Sequence, residues 1–222
     1  MTEHIVRILN IEQVTHDVKR FQVEKPEGYS FTPGQATDVS INTPELKNKK
    51  RPFSFTCLNS DPYLEFTIKI YPKHQGITVE IGKLQVGDEI ILRDAWGAIE
   101  YKGKGLFIAG GAGITPFIAI FRDLQVKQEL EGNALLFGNR SKDDIIMEDE
   151  FNRIFGNKFI NILSDEKVEG YAFGFINQDF ISSNIAGFNR FYVCGPPPMM
   201  KLVLNDLKNL GIPSESITTE AV

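Results

Sequence analysis

The amino-acid sequence predicts two domains of different fold class, an antiparallel all-β first half and a second half that is α/β with a parallel sheet. Two observations support this. Apolar and polar residues alternate in short stretches of the first half, with turn residues between them, whereas short apolar runs alternate with helical segments in the second. We expect the boundary near residues 101–105, with domains spanning 1–102 and 103–222.

The first half is predicted to form strands because alternating polarity is the pattern of a half-buried strand. Such stretches occur at 5–9, 18–23 and 64–70, and residues 89–92 are expected to form a further short strand. Turn signals such as Thr32-Pro33-Gly34 separate them, and one helix is expected near 78–84. Many short strands with frequent turns predict a barrel or a sandwich.

The second half has compact apolar runs at the positions expected for buried parallel strands, 106–109, 134–138, 158–163 and 191–194. Helices are expected at 116–130, at 141–155 and at 199–210. The second of these begins with Ser141-Lys142-Asp143-Asp144, the pattern of a capping box. Strands that alternate with helices predict a parallel sheet covered by helices.

Composition excludes several classes of partner. The formal net charge is −5, which does not fit a general nucleic-acid-binding surface. Segment 105–121 has no charged residue, but it is shorter than the ~20 residues of a membrane span and contains four glycines and a proline. We therefore expect no nucleic-acid partner and no membrane span.

Cysteine and histidine usage indicates a cytoplasmic protein without a metal site. The two cysteines form no CxxC motif, and His4, His16 and His74 are scattered along the chain. The first residues, MTEHIVRIL, lack the basic and apolar regions of a signal peptide.

A glycine turn, Gly110 to Pro116, follows an apolar strand and precedes a predicted helix. Such a turn brings backbone N–H groups and the positive end of a helix dipole close to a pyrophosphate. A purely structural turn explains the same residues. In an α/β sheet, Cys194-Gly195-Pro196 would flank the same crevice, although a cysteine is also a common small buried residue.

Two short segments of the first half are candidates for a second anion site. Arg51-Pro52-Phe53-Ser54 lies between predicted strands and combines a guanidinium that suits a phosphate with a ring and a hydroxyl. An ordinary strand with one surface arginine is the alternative. Gly76-Ile77-Thr78 opens the helix of the first half.

Taken together and in order, these motifs resemble those of the ferredoxin–NADP reductase superfamily over nearly the whole chain. The matches are to FxPGQ, RxYS, GxxS, GGxGITP, YGxR and CGPPPM, which fall respectively at Phe31–Gln35, Arg51–Ser54, Gly76–Thr78, Gly110–Pro116, Phe137–Arg140 and Cys194–Met199. The resemblance implies a Greek-key β-barrel that binds FAD, followed by an α/β domain that binds NAD(P)H.

The resemblance also implies roles for individual residues. In the FAD site, Arg51, with Pro52 beside it, would hold the pyrophosphate, Phe53 would lie against the flavin ring and Ser54 would hydrogen-bond near N5. Ile68 and Ile70 would line the flavin, and the Gly76-Ile77-Thr78 turn would meet the pyrophosphate.

On the nucleotide side, Cys194 would lie near the nicotinamide C4. The other residues implied to hold the dinucleotide are Gly111, Thr115, Gly138, Arg140, Gly195 and Met199. Asp165 follows a predicted strand at the expected place of the adenosine ribose, where a carboxylate accepts from a free 2′-hydroxyl and repels a 2′-phosphate. An acidic surface turn without contacts is the alternative. We therefore expect a preference for NADH.

Two departures from the family pattern affect the flavin site. Phe53 occupies the position where tyrosine is usual, so it lacks the hydroxyl. Glu220 resembles the family's near-terminal glutamate, and the expected catalytic residues are Ser54, Cys194 and Glu220. In many members of the family an aromatic residue near the end of the chain stacks on the flavin, but no aromatic residue follows Glu220 here. The resemblance then implies a more open nicotinamide face on the flavin.

Three functions fit these residues. The first is a reductase that takes hydride from NAD(P)H onto FAD and passes electrons to a small redox protein, a ferredoxin or flavodoxin, or to a small-molecule acceptor. The second is a flavin reductase that uses free flavin as a substrate. The third is an electron-transfer subunit of a larger complex. Lys47, Lys49 and Lys50 form either a solvated loop or a docking patch for an acidic redox protein.

Overall fold

The computed structural model describes residues 2–72 and 76–220. The chain divides into two compact units. The first unit comprises Met1–Gly97 and Thr115–Asp123, and the second comprises Ala98–Ile114 and Leu124–Val222. His74 lies outside the described residues, as do Ala221 and Val222.

The first unit contains an antiparallel six-stranded sheet. Its strands are β1 His4–Thr15, β2 Val18–Glu24, β3 Ala36–Ile41, β4 Arg51–Ser54, β5 Tyr63–Lys69 and β6 Glu89–Leu92, with a short helix, α1, over Ile77–Gly82. The spatial order is β4-β3-β6-β1-β2-β5. A bridge between Phe55 and Phe66 joins the chain after β4 to β5, so the sheet curls back on itself.

The core of this unit consists of the inward-facing residues of the strands. Phe55 is fully buried and stacks on Phe31 with ring centroids 4.1 Å apart. The ring of Phe66 is tilted against Phe55, with the centroids 5.2 Å apart. Burying an aromatic ring of this size contributes about 1.5–3 kcal/mol, so this cluster is a major source of stability for the sheet.

Two strands of this unit differ from the sequence-based expectation. β3 was not predicted, because buried residues occupy both of its faces and no alternation is visible. Strand β1 continues to Thr15, well beyond the predicted end at residue 9. The segment Arg51–Ser54 itself forms a strand, β4, with an exposed arginine, as its ordinary-strand interpretation expects.

A buried arginine ties three separate segments of the first unit together. Arg93 follows β6 and is 1% exposed. Its Nη2 and Nε donate to Glu3 Oε1 at 2.7 and 3.0 Å. Its Nη1 donates to Ser40 Oγ at 3.0 Å, and the carbonyls of Asp38 and Lys47 accept at 3.4 and 3.3 Å. The loop that leads into β4 is therefore anchored to the sheet.

The second unit contains a parallel six-stranded sheet in the order β10-β9-β8-β7-β11-β12. Its strands are β7 Leu106–Gly110, β8 Ala134–Asn139, β9 Phe159–Leu163, β10 Ala172–Phe173, β11 Phe191–Cys194 and β12 Ile217–Thr219. The helices of the second half are α2 Thr115–Val126, α3 Glu148–Phe155, α4 Gln178–Ser182 and α5 Pro197–Asn209. The α/β expectation is confirmed.

The first part of α2, Thr115–Asp123, is grouped with the first unit. Within that unit Arg122 Nη1 donates to the carbonyl of Thr56 at 2.6 Å and to Glu65 Oε1 at 2.9 Å. Glu65 is 2% exposed, so this buried carboxylate is paired rather than isolated.

Two helix boundaries differ from expectation. The capping box at Ser141 and Asp144 forms as predicted, but it opens a 3₁₀ turn, Lys142–Asp144, instead of a long helix. The chain then adopts φ +56° at Met147 before α3 begins at Glu148. Helix α2 ends at Val126, before the predicted 130, because Gln128 takes φ +59° and Glu129 N donates back to Leu124 O.

In the described part of the chain, no helix combines the length and the apolar character that crossing a membrane requires.

Replacing Arg93 tests the anchoring of the β4 loop. Arg93→Met should lower the free energy of unfolding by about 2 kcal/mol, because buried acceptors such as Ser40 Oγ lose their donor. Glu3→Gln is the control, since Glu3 is 55% exposed and its ion pair is expected to contribute less than about 1 kcal/mol. Urea unfolding of both variants measures the difference. Equal losses would show that the Glu3 pair, not the buried network, stabilises the loop.

Candidate active site

The residues predicted to bind flavin begin on strand β4, which pairs antiparallel with β3. Ser54 lies opposite Ala36 and Phe53 lies opposite Thr37. Ser54 is 8% exposed, Phe53 is half-buried and packs against the core, and Arg51 at the start of the strand is exposed. Exposure therefore decreases along the four residues of β4, from the solvent-exposed Arg51 guanidinium to the buried Ser54 hydroxyl.

Strand β5 lies beside β4, and further residues predicted to line the flavin lie on it or directly after it. The antiparallel bridge between Phe55 and Phe66, with Thr56 N donating to Glu65 O at 2.9 Å, sets β4 beside β5. Continuing that register puts Phe53 level with Ile68. Ile68 is buried and Ile70 is half-buried. The structure thus brings together the β4 and β5 residues that the sequence assigned to one site.

The predicted phosphate turn lies at the start of α1. Gly76 precedes the helix in an extended conformation, Ile77 is buried in the core and Thr78 is half-buried. The end of the helix packs against the residue that follows β5, because a Cβ at Gly82 would lie 3.0 Å from Ile70 Cγ2. The helix therefore lies beside the end of the strand that carries Ile68.

The donors of this region suit a phosphate-bearing flavin. The Arg51 guanidinium contacts only the carbonyl of Lys50, at 3.4 Å, and has no acidic partner among the described residues. An exposed arginine without a carboxylate keeps its donors available for an anion. Phe53 adds an apolar ring surface and Ser54 a hydroxyl, so these residues fit FAD.

In the second unit, the glycine turn is shaped by close backbone approach. Residues Gly111–Ile114 form a 3₁₀ turn directly after β7. A Cβ at Gly113 would collide with the carbonyl of Cys194, so only glycine allows the turn to rest on the end of β11. Gly111 has φ +50°, and the space beside its Cα is open. That opening leaves room for a ligand above the turn.

The start of α5 completes this crevice. Pro197 is the first residue of the helix, and Met199 follows within its first turn. A Cβ at Gly110 would collide with Met199 Sδ, and one at Gly195 would lie 2.8 Å from the same atom. The backbone at the end of β7 and just after β11 is therefore in close contact with the Met199 side chain, in the first turn of α5.

Cys194 ends β11 and Glu220 directly follows the neighbouring parallel strand β12, at the same level, since Val193 pairs with Thr219. Cys194 is 6% exposed, and burial raises the pKa of its thiol well above the usual range, with a smaller contribution from the Glu220 charge. Loss of surrounding water also raises the pKa of the Glu220 carboxyl, although much of that residue is accessible at the surface. Cys194 therefore carries a neutral thiol at physiological pH.

The ends of β8 and β9 carry a polar network. Arg140 Nε donates to Asp165 Oδ2 at 3.2 Å, and Ser164 Oγ donates to Asp165 Oδ1 at 2.6 Å. The Ser164 hydrogen bond and then the Arg140 hydrogen bond lower the pKa of Asp165. Gly138 lies on β8, two residues before Arg140, where its Cβ would be 3.2 Å from Ile176 Cδ1. Asp165 is thus an ionised carboxylate paired with Arg140.

Sequence reasoning missed two residues here. Ser164 orients Asp165, and Asn139 is a buried amide at the end of β8. Both residues could have been found from the sequence, because each is a polar residue at the carboxyl end of an apolar strand, where ligands of α/β sheets bind. Thr115, which the family resemblance implies to hold the dinucleotide, is the first residue of α2.

Two family models match the chain. Residues 6–101 match the "Oxidoreductase FAD-binding domain" and residues 107–205 match the "Oxidoreductase NAD-binding domain". The fold and these models define a flavin- and nicotinamide-dependent oxidoreductase.

Similar proteins agree with this class. The reductase component of propane 2-monooxygenase from Rhodococcus jostii is 30% identical over 95% of this chain and 61% of its own length. Human NADH-cytochrome b5 reductase 1 is 26% identical over 94% of this chain and 82% of its own length. A ferredoxin NADP⁺ reductase from Neisseria gonorrhoeae, solved with FAD and NADP, has a TM-score of 0.86 at 19% identity, with 99% and 98% of the two chains covered.

The chain belongs to the oxidoreductases that these FAD-binding and NAD-binding domain models describe, and it has the fold of the ferredoxin NADP⁺ reductase from Neisseria gonorrhoeae. It spans 61% and 66% of the length of two bacterial reductase components that it matches, those from Rhodococcus jostii and from a Ralstonia species.

Alkylation tests the state of the two thiols. Burial raises the pKa of Cys57 to about 12 and raises that of Cys194 further still, so both thiols are protonated and shielded near neutral pH. Because the thiolate is the nucleophile, iodoacetamide at about pH 8 should leave both cysteines of the folded protein unmodified, whereas the unfolded protein should gain two adducts. Mass spectrometry reads the result. Rapid labelling of Cys194 in the folded protein would contradict its assignment as a buried neutral thiol.

Proposed function

We propose that this protein takes hydride from NADH onto bound FAD and passes the electrons to a redox protein such as a ferredoxin or flavodoxin. Two observations carry the proposal. In the first unit the Arg51–Ser54 strand lies beside β5. In the second unit the glycine turn packs on Cys194. The two segments fall within the matches to the FAD-binding and NAD-binding domain models respectively, which supports the proposal.

Bound FAD supplies a ring that accepts a hydride and releases electrons to a second carrier. Around it, we assign the Arg51 guanidinium to the pyrophosphate and Phe53 to the ring face, with Ser54 donating to the ring edge. The remaining residues assigned to FAD are Pro52, Ile68, Ile70, Gly76, Ile77 and Thr78. Because Ser54 and Ile68 are buried, this part of the site excludes water.

The nucleotide is assigned to the crevice at the carboxyl ends of the parallel strands. Cys194 contributes a small neutral side chain beside the nicotinamide, and Glu220 lies next to it. A carboxyl with a raised pKa at this place can hold a proton near the reacting ring. The other residues assigned to the dinucleotide are Gly111, Thr115, Gly138, Arg140, Asp165, Gly195 and Met199.

We also propose that the FAD-binding domain ends at residue 102 and the NAD(P)-binding domain begins at 103. The two family matches leave residues 102–106 between them, which supports a junction there. A cytoplasmic location is part of the proposal, since Cys57 and Cys194 are both free thiols.

The acceptor is proposed to be a small acidic redox protein. Lys47, Lys49 and Lys50 are exposed beside Arg51 on the loop anchored by Arg93. Clustered positive charge steers association with an acidic partner. The relatives named above are reductase components of oxygenase systems and cytochrome b5 reductases, which supports a protein acceptor over a free flavin.

Removing the Arg51 guanidinium tests FAD binding. Arg51→Ala should raise the dissociation constant for FAD by at least about tenfold, since a bidentate guanidinium–phosphate contact is lost, while the protein stays folded. Lys50→Ala, which removes the adjacent charge, is the control. Flavin absorbance after gel filtration measures retention. Full retention of FAD by Arg51→Ala would remove Arg51 from the site, and a wild-type protein that releases FAD readily would favour the flavin reductase.

The Arg140–Asp165 pair makes the NADH preference testable. Wild-type protein should have a higher kcat/KM for NADH than for NADPH, because Asp165 neutralises Arg140 and repels a 2′-phosphate. Asp165→Asn frees Arg140 and should shift the ratio toward NADPH by about tenfold. Glu166→Gln serves as the matched control and should leave it unchanged. A wild-type preference for NADPH, or an Asp165→Asn ratio equal to the wild type, would show that Asp165 does not read the ribose.

A further inference from the structure

A buried amide without a hydrogen-bond partner lies at the carboxyl end of β8. Asn139 is 7% exposed, and neither its Nδ2 nor its Oδ1 has a partner. Within residues 2–72 and 76–220, it is the one side chain with two such unpartnered buried atoms. Buried polar groups are nearly always hydrogen-bonded, so this amide calls for a specific explanation.

A second buried asparagine in the same unit shows what a structural amide looks like. Asn133, 3% exposed, accepts from Gly105 N at 3.0 Å and donates to Leu130 O at 3.0 Å. Tyr101 Oη lies 3.3 Å from its Nδ2. Asn133 is therefore fully used in holding loops together, whereas Asn139 contributes no hydrogen bond from its side chain.

Asn139 lies at the carboxyl edge of the parallel sheet, beside the glycine turn that was assigned to the nucleotide. Gly138 pairs with Gly110, the last residue of β7, so Asn139 lies one residue beyond that strand and level with the glycine turn. The glycine turn itself contacts β8. Because side chains alternate along a strand and Gly138 faces Ile176, Asn139 faces the opposite side of the sheet.

The unpartnered atoms also indicate the chemistry of the missing partner. A phosphate offers only acceptors and would satisfy Nδ2 alone, leaving Oδ1 without a donor. A ribose hydroxyl pair or a carboxamide offers both a donor and an acceptor and would satisfy both atoms. The partner of Asn139 is therefore expected to be a neutral group of this mixed kind.

We propose that Asn139 binds the nicotinamide dinucleotide through a ribose hydroxyl pair or the nicotinamide carboxamide. The proposal rests on the proposed function, because it assumes that this crevice holds a dinucleotide. It adds a recognition residue that reads a neutral part of the ligand, distinct from the anion-binding turn at Gly111 and the charged pair of Arg140 and Asp165.

A buried amide that is hydrogen-bonded only by a ligand affects the stability of the ligand-free protein differently from an amide that is hydrogen-bonded within the protein. Replacing an unsatisfied buried polar group with an apolar one of similar size is neutral or stabilising, whereas replacing a satisfied one is destabilising. Asn139→Leu should therefore keep or raise the Tm of the nucleotide-free, FAD-loaded protein while weakening nucleotide binding. Asn133→Leu, the matched control, should lower the Tm and leave the nucleotide Kd unchanged.

The experiment titrates NAD⁺ and ADP-ribose separately into FAD-loaded wild type, Asn139→Leu and Asn133→Leu, by calorimetry. Loss of two hydrogen bonds predicts a Kd for NAD⁺ about tenfold higher in Asn139→Leu. ADP-ribose lacks the nicotinamide but keeps the ribose hydroxyls. An equal loss for both ligands assigns Asn139 to a ribose, and a loss for NAD⁺ alone assigns it to the carboxamide.

An unchanged Kd for both ligands in Asn139→Leu would overturn the proposal. If that variant does not fold, Asn139→Ala replaces it, with the same expected weakening of NAD⁺ binding. A wild-type protein that binds neither ligand would instead overturn the proposed function, so the two failures are distinguishable.

Discussion

The nucleotide half of this protein depends on one steric constraint, the contact between the glycine turn and the end of β11. Gly113 rests against the carbonyl of Cys194 at a distance that leaves no room for a Cβ. This contact holds the loop after β7 against the loop after β11, with open space left beside Gly111. The catalytic chemistry would be supplied by the cofactors, so the protein contributes chiefly this arrangement of backbone groups.

In the flavin half, the predicted site residues are positioned by the short strand β4, whose register is fixed by pairing on both sides. Pairing with β3 and the bridge from Phe55 to β5 set the direction of each side chain on β4. Arg93 then anchors the loop that delivers Arg51 to the start of that strand. An exposed guanidinium can thus have a defined position because its backbone is held by a buried network rather than by its own contacts.

Motif and periodicity predicted most of this fold, and the exceptions have physical causes. Strand β3 was missed because Ala36–Ile41 is buried on both faces, and the start of α3 was missed because Met147 takes a left-handed conformation that the capping box does not indicate. Arg140 and Asp165 were both predicted as site residues, but their pairing joins positions 25 residues apart and depends on the register of β8 with β9. The role of Asn139 was inferred from two buried side-chain atoms that lack hydrogen-bond partners, and a sequence pattern alone does not show which buried groups lack partners.

The most direct test of the account is anaerobic reduction of the protein's own flavin in a single turnover. Protein purified with FAD is mixed without oxygen with one equivalent of NADH, and the loss of the yellow flavin absorbance is followed in a stopped-flow instrument. If the two units form a reductase as proposed, the flavin bleaches fully and faster with NADH than with NADPH. A protein that holds no flavin, or whose flavin neither nucleotide reduces, would contradict the account.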